Sequence, residues 1–436
     1  MDAATVSEET TAGEPVLAAG ALRLRRWSDR AIVAVAVMAL ASGFGQFSVV
    51  AALGDVSKQL GHVAAGSSIA DKVGLSATSL GAGLAVIRLA SLGSLPLVGV
   101  ADRVGRRRMI LAVTVVGLAL TIVAAASPGY WWFVVIFACG RPLLSATNAL
   151  ADVMAAEETS TRDRSAAVAL VAGGYAVGAG ASAVLHSLAS STLGFRGIFA
   201  MAVVPLVLVV LLRRWVEEPS RFMVAEAQTD HPTPVLGAVG PRFRGRVVTL
   251  CVVAFALSVI TGPANSFVFL YAQDVLHQPG WVTAAMVVAA GLVGLVGLLA
   301  GRWLADHLGR RPTSTVAMVG IALSATLTYS GGRTALVTGY VLGILGGSLI
   351  APAIGSFLAE LFPTSVRASA TGWWVAIGVV GAGVGLVAFG AVADVGNRFA
   401  LAAAATFLPA ALAAGLFWLL PETKGREPEA LWGGVA

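Results

Sequence analysis

Apolar residues arrive along this chain in blocks of about twenty, each closed by a short polar interval. A helix rising 1.5 Å per residue needs about that length to cross the ~30 Å hydrocarbon core of a bilayer. The blocks run over residues 31–54, 77–99, 109–127, 131–153, 165–188 and 197–215. After a polar interval they resume over 247–271, 282–304, 313–330, 335–358, 370–392 and 399–420. The pattern predicts an all-α polytopic membrane protein of twelve transmembrane helices, in two pseudo-symmetric bundles of six. Barrel strands would be ~10 residues long and would alternate apolar with polar, which these blocks do not.

Composition agrees. Of 436 residues 57% are apolar and 12% charged, with a mean hydropathy of +0.84; a soluble domain carries about 25% charged residues. A soluble enzyme is excluded. The 29 basic and 23 acidic side chains leave a net charge of +6. With the N-terminus inside, 22 Lys and Arg fall in cytoplasmic segments and only Lys58, Lys72, Arg196, Arg333 and Arg398 in outer ones. That bias orients the chain in the cytoplasmic (inner) membrane with both termini in the cytoplasm. The basic charge is then explained by topology and anionic lipid, and calls for no nucleic-acid partner.

Residues 1–26 are small and polar with Asp2, Glu8, Glu9 and Glu14, and read as a disordered cytoplasmic tail. Residues 27–216 form the first six-helix bundle and 247–421 the second. The cytoplasmic linker 217–246 contains Pro219, Pro232, Pro234 and Pro241. A second tail covers 422–436. Cys139 and Cys251 lie far apart inside apolar blocks, and His62, His186, His231, His277 and His307 are scattered. This gives no disulfide framework, metal set or acid–base cluster, so the expectation is no metal, no cofactor and no catalytic site.

Charged motifs reveal an internal repeat. Asp102-Arg103-Val104-Gly105-Arg106-Arg107 returns 204 residues later as Asp306-His307-Leu308-Gly309-Arg310-Arg311. Glu157 and Arg164 return 203 later as Glu360 and Arg367, and Glu218-Pro219 returns as Glu422 beside Pro421. Parallel helical repeats related by an axis along the membrane normal are a transporter architecture, with substrate bound between them near the midplane.

On these residues the chain resembles the major facilitator superfamily over nearly its whole length. Asp-Arg-x-Gly-Arg-Arg is that family's best-known loop signature. Glu218-Pro219-Ser220-Arg221, Ala359-Glu360-Leu361-Phe362-Pro363-Thr364 and Pro421-Glu422-Thr423-Lys424-Gly425 are similar to the branch holding sugar porters, organic-ion carriers and metabolite/proton symporters. The resemblance implies alternating access by a monomer-capable carrier. It also implies a cytoplasmic gate built from Asp102, Arg106, Glu157, Arg164, Asp306, Arg310, Glu360 and Arg367, in which Glu157 with Arg164 and Glu360 with Arg367 can pair. The alternative for Arg106, Arg107, Arg310 and Arg311 is that they only enforce topology through the positive-inside bias.

Arg88 and Arg141 lie midway along their spans, where a charge costs at least ~2.5–3.5 kcal/mol, so such residues usually face a bundle interior or wet cavity. A buried counter-ion role is the alternative. Gln46, Asn148, Asn265, Tyr271 and Trp374 complete the candidate substrate site, with packing the alternative for the tryptophan. Asp55 and Asp274, at pseudo-equivalent helix ends, are the proton-coupling candidates; a solvated loop position is the alternative for Asp55. Span five lacks the amides that sugar porters supply, and two arginines favour an anionic, carboxylate-bearing metabolite. The function expected is secondary active transport of that small organic solute as proton-coupled symport. A proton-driven exporter of drugs or secondary metabolites and a sugar porter remain alternatives.

Overall fold

The structure is a computed structural model and describes residues 25–61, 73–160, 163–218, 236–237, 239–395, 398–427 and 431–432, leaving aside the side chains of Asp102, Thr364 and Ser365. Most of the expected tail 1–26 and much of the linker, including Pro219, Ser220, Arg221, Pro232 and Pro234, lie outside the described residues. So do Lys72 and Arg162. The described residues are almost wholly helical; their one β-bridge joins Arg25 to Thr159.

Twelve helices follow the apolar blocks. They are α1 (Arg30–Ala51), α2 (Ala77–Ala90, carried through the turn Ser91–Gly93 into Ser94–Val104), α3 (Arg106–Ala124) and α4 (Tyr130–Glu158). The helical run Arg164–Ala200 breaks at Gly194, whose φ of 57° is left-handed, and this separates α5 (164–193) from α6 (195–212). The second half holds α7 (Pro241–Ser266), α8 (Gly280–His307), α9 (Arg310–Thr328), α10 (Arg333–Glu360), α11 (Thr364–Asp394) and α12 (Phe399–Ala411). Short turns extend two of them: Val268–Leu270 and Tyr271–Val275 after α7, and Leu412–Leu419 after α12.

Ten runs are long and apolar enough to cross a membrane. The count differs from twelve because α5 and α6 form one run, Arg164–Leu212, and because Arg310, Arg311, Pro312 and several hydroxyls dilute α9. Two expected loops are shorter than the polarity pattern suggested. The interval 189–196 is helical apart from Gly194, and the start of the connection expected between the blocks 31–54 and 77–99 belongs to a helix, Leu53–Leu60. In both, the chain still reverses, at Gly194 and after Leu60, but with fewer non-helical residues than the polar composition suggested.

Exposed tryptophans ring both ends of the bundle. Trp131, Trp132 and Trp281 lie at one end, and Trp27, Trp215, Trp303 and Trp418 at the other, as indoles do at the two membrane–water interfaces. The second end also carries the Asp-Arg-x-Gly-Arg-Arg loops and is the basic face. Within the halves α1 packs on α5 and α7 on α11; between them α2 meets α11 and α5 meets α8. One buried core joins the second half to the end of the first half remote from the basic face. The rest of the first half has a core of its own.

Candidate functional site

About midway along the helices, a cavity of ≈ 240 Å³ lies between the halves. The first half lines it with Gln46 from α1, Arg88 from α2, Arg141 from α4 and Tyr175 from α5; the second contributes Asn265 and Ser266 from α7 and Tyr340 from α10. A neighbouring cavity of ≈ 240 Å³ shares Arg88 and Asn265 and adds Ser258, Thr261 and Trp374. The structure therefore brings Gln46, Arg88, Arg141 and Asn265 together, with Trp374 next door.

Charge dominates this cavity. Arg141 is 7% exposed; its Nη1 donates to the backbone oxygen of Gln46 at 3.3 Å, and its Nε is buried with no partner. Among the described residues neither Arg88 nor Arg141 forms an ion pair, and no carboxylate lines the cavity. Two guanidiniums thus share one desolvated space without a counter-ion among the described residues.

Two other candidates stand apart from it. Tyr271 packs against Tyr329 and Phe399, and its hydroxyl donates to Tyr329 O at 3.1 Å. Asn148 lines neither cavity, and its Oδ1 is buried without a partner.

On the face opposite the arginine loops the halves are bonded together. The Asp394 carboxylate at the end of α11 accepts from the N–H groups of Ala77 (2.7 Å) and Thr78 (2.8 Å) and from the Thr78 hydroxyl, capping α2 from the other half. Lys58 pairs with Asp274, and Ser187 Oγ lies 2.8 Å from Thr283 Oγ1. Asp55 pairs with His186 Nε2 at 2.9 Å on α5. Asp55 and Asp274 thus belong to the sealed face and not to the cavity.

The basic face is built differently. Glu218 accepts from the backbone N–H groups of Arg106 and Arg107 at the start of α3, and Glu422 does the same for Arg310 (2.9 Å) and Arg311 (3.0 Å) at the start of α9. Gly105 (φ 100°) and Gly309 (φ 108°) make both turns, and a Cβ at Gly309 would meet the Glu422 carboxylate. Burial pushes the Glu422 carboxyl up, but four backbone N–H bonds, from Arg310, Arg311, Lys424 and Thr423, outweigh it and hold the group below the usual glutamate range.

Arg106 pairs with Glu157, and Arg310 with Glu360 (3.2 Å) and Asp306 (3.3 Å). Arg164 and Arg367 reach backbone carbonyls instead, Ala156 at 3.1 Å and Phe362 at 3.4 Å, so Glu157 and Glu360 are partnered by the loop arginines. The side chain of Asp102 lies outside the described residues.

Sequence reasoning passed over Ser266 and Tyr340 in the cavity, and Lys58, His186 and Asp394 on the sealed face. Hydroxyl side chains inside uniformly apolar spans carry no signal of facing. His186 could have been found from its place at the same end of the bundle as Asp55.

The Major Facilitator Superfamily model matches residues 35–328 and 280–433. The 3-(3-hydroxy-phenyl)propionate transporter of Escherichia coli is 32% identical over 341 residues, covering 74% of this chain and 81% of that protein. A probable 4-methylmuconolactone transporter of Cupriavidus pinatubonensis is 27% identical over 346 residues, 74% of this chain and 77% of its own. Among solved structures, the xylose transporter XylE from E. coli in an inward-open conformation matches with a TM-score of 0.69 over 92% of this chain and 98% of that one, at 17% identity, a likeness of fold.

Proposed function

The chain belongs to the major facilitator superfamily of multi-pass membrane transporters, and from that membership we propose that it moves a small, carboxylate-bearing organic anion by alternating access. One observation carries the substrate class: Arg88 and Arg141 face a single cavity between the halves with no carboxylate among the described residues to neutralise them. Each buried cation costs at least ~2.5–3.5 kcal/mol, and a bound carboxylate offsets that cost through paired N–H···O bonds. The relatives named for 3-(3-hydroxy-phenyl)propionate and 4-methylmuconolactone support small organic acids as the class.

The excess of Lys and Arg assigns the basic face to the cytoplasm of the inner membrane. The state described here is then inward-facing, sealed outside by the Asp394, Lys58–Asp274 and Ser187–Thr283 contacts. Asp102, Arg106, Glu157 and Arg164, with Asp306, Arg310, Glu360 and Arg367, form the gate of the cytoplasmic face, and the two sets meet when that face closes. Transport is coupled to protons. Asp274 is buried in the closed outer face and Asp55 lies partly exposed beside it, so both meet outside protons when that face opens, and proton exchange there accompanies the movement.

Purified protein in liposomes tests this with labelled 3-(3-hydroxyphenyl)propionate, benzoate and xylose, offered with and without an inward pH gradient. Acid uptake with acidification of the lumen is the expected result. Arg141→Gln leaves a buried site short of one guanidinium and should reduce acid uptake by about 30-fold or more, the scale of losing one partner of a buried charge pair. Sugar uptake that survives Arg141→Gln would overturn the anion reading.

A further inference from the structure

Two neutral side chains occupy matching places in the two halves. Gln46 stands nine residues before Asp55 and Asn265 nine before Asp274, so one offset of 219 relates both pairs. Both amides wall the cavity that holds Arg88 and Arg141. Each ties its nitrogen to the residue four back in its own helix: Gln46 Nε2 donates to Ser42 Oγ at 2.8 Å, and Asn265 Nδ2 donates to Thr261 O at 2.9 Å.

Those partners fix which way the amides face. Ser42 Oγ gives its one proton to Leu144 O at 2.7 Å and is left able only to accept; the Thr261 carbonyl has no proton to give. Turning either amide over would set oxygen against oxygen. Gln46 Oε1 and Asn265 Oδ1 are therefore the atoms left over. Neither has a donor among the described residues, and neither is sealed off by protein.

The cavity thus presents two kinds of recognition. Guanidiniums only donate and suit a carboxylate; the two amide oxygens only accept, and a carboxylate cannot satisfy them. Tyr175 and Tyr340 add hydroxyls that can do either, and so discriminate less. Resting on the anion reading above, we propose that the substrate is a hydroxylated carboxylic acid. Its carboxylate lies on Arg88 and Arg141, and its hydroxyl donates its one proton to Gln46 Oε1 or Asn265 Oδ1. That acceptor sets specificity between a hydroxy acid and its deoxy analogue, because the analogue displaces water from it and leaves it unpaired.

The test is competition in proteoliposomes between 3-(3-hydroxyphenyl)propionate and 3-phenylpropionate, which differ by one hydroxyl. The wild type should favour the hydroxylated acid in KM by at least about tenfold. Gln46→Leu or Asn265→Leu, whichever removes the acceptor of the substrate hydroxyl, should pull that ratio toward one, chiefly by raising KM for the hydroxylated acid. Equal KM values in the wild type overturn the proposal without any variant, so a misfolded variant cannot rescue it. A ratio unchanged in both variants also overturns it. Failure of the wild type to take up either acid overturns the anion reading itself, an outcome distinct from acid uptake that ignores the hydroxyl.

Discussion

The two ends of the bundle use charge in opposite ways. At the basic face the ion pairs and caps described above stay within one half: Arg106 with Glu157 and the Glu218 cap on α3 in the first, Arg310 with Glu360 and the Glu422 cap on α9 in the second. At the other face the contacts of Asp394, Lys58 and Ser187 run from one half to the other. The first set repeats with the internal duplication and makes each bundle rigid. The second set does not repeat, and it joins bundles that part during transport under the alternating access proposed above. A contact that differs between states can bias their equilibrium, while one present in both cannot. Mutations at the two faces should therefore produce different defects.

The largest effect is expected where the halves touch most closely. A Cβ on Gly280 at the start of α8 would run into the Ser187 carbonyl of α5. Gly280→Leu should oppose closure of that face. Overpacking costs about 1–3 kcal/mol, and here it falls on the closed state alone. A shift of that size moves the balance between states by roughly 5- to 150-fold. Uptake should fall by that order while the protein still folds, and uptake within twofold of wild type would break the contrast between the faces.

Much of this architecture was legible in the chain. Span number, basic-face charge and the repeat survive translation into structure because they depend on block length and on charges at helix ends, which are local properties. Glu218 and Glu422 were visible as motif members, but their work as caps on α3 and α9 was not, since it joins residues about 110 positions apart. The cavity was legible only in part. Gln46, Arg88, Arg141 and Asn265 stood out as polar groups in apolar spans, yet Tyr271 and Asn148 stood out equally and lie elsewhere. A helix that is apolar all round does not disclose its rotation, so polarity marks candidates without saying which of them meet.

A smaller effect follows from Lys58→Met. Asp274 is 7% exposed on its side chain and would lose the cation that neutralises it across the halves. Lys58 is 42% exposed, which limits the loss to about 1.4 kcal/mol, or tenfold in the closed population. Asp274 must then bind a proton for the face to close, so uptake by the variant should recover as the outside is acidified. The Lys58→Met/Asp274→Met double variant should restore closure at neutral pH. If the double variant is as impaired as the sum of the singles, the pair does not couple the halves.

The smallest effect belongs to the basic face. Glu422→Gln keeps the size of the cap on α9 but removes its charge, which is worth a few tenths to about 1 kcal/mol at a group this exposed. For a chain of this length that lowers the melting temperature by about 1–2 °C. The pH dependence has a definite sign. Because the Glu422 pKa is depressed in the folded protein, its stabilisation is fully present above the ordinary glutamate pKa of about 4.3 and is lost as pH falls through the lower folded value. The melting difference between wild type and Glu422→Gln should therefore be constant near neutrality and shrink below about pH 4. Since the cap lies inside one half, KM and the balance between inward and outward states should not change. A shift in that balance would show that the Glu422 cap is not confined to its own half but acts with the gate that closes this face.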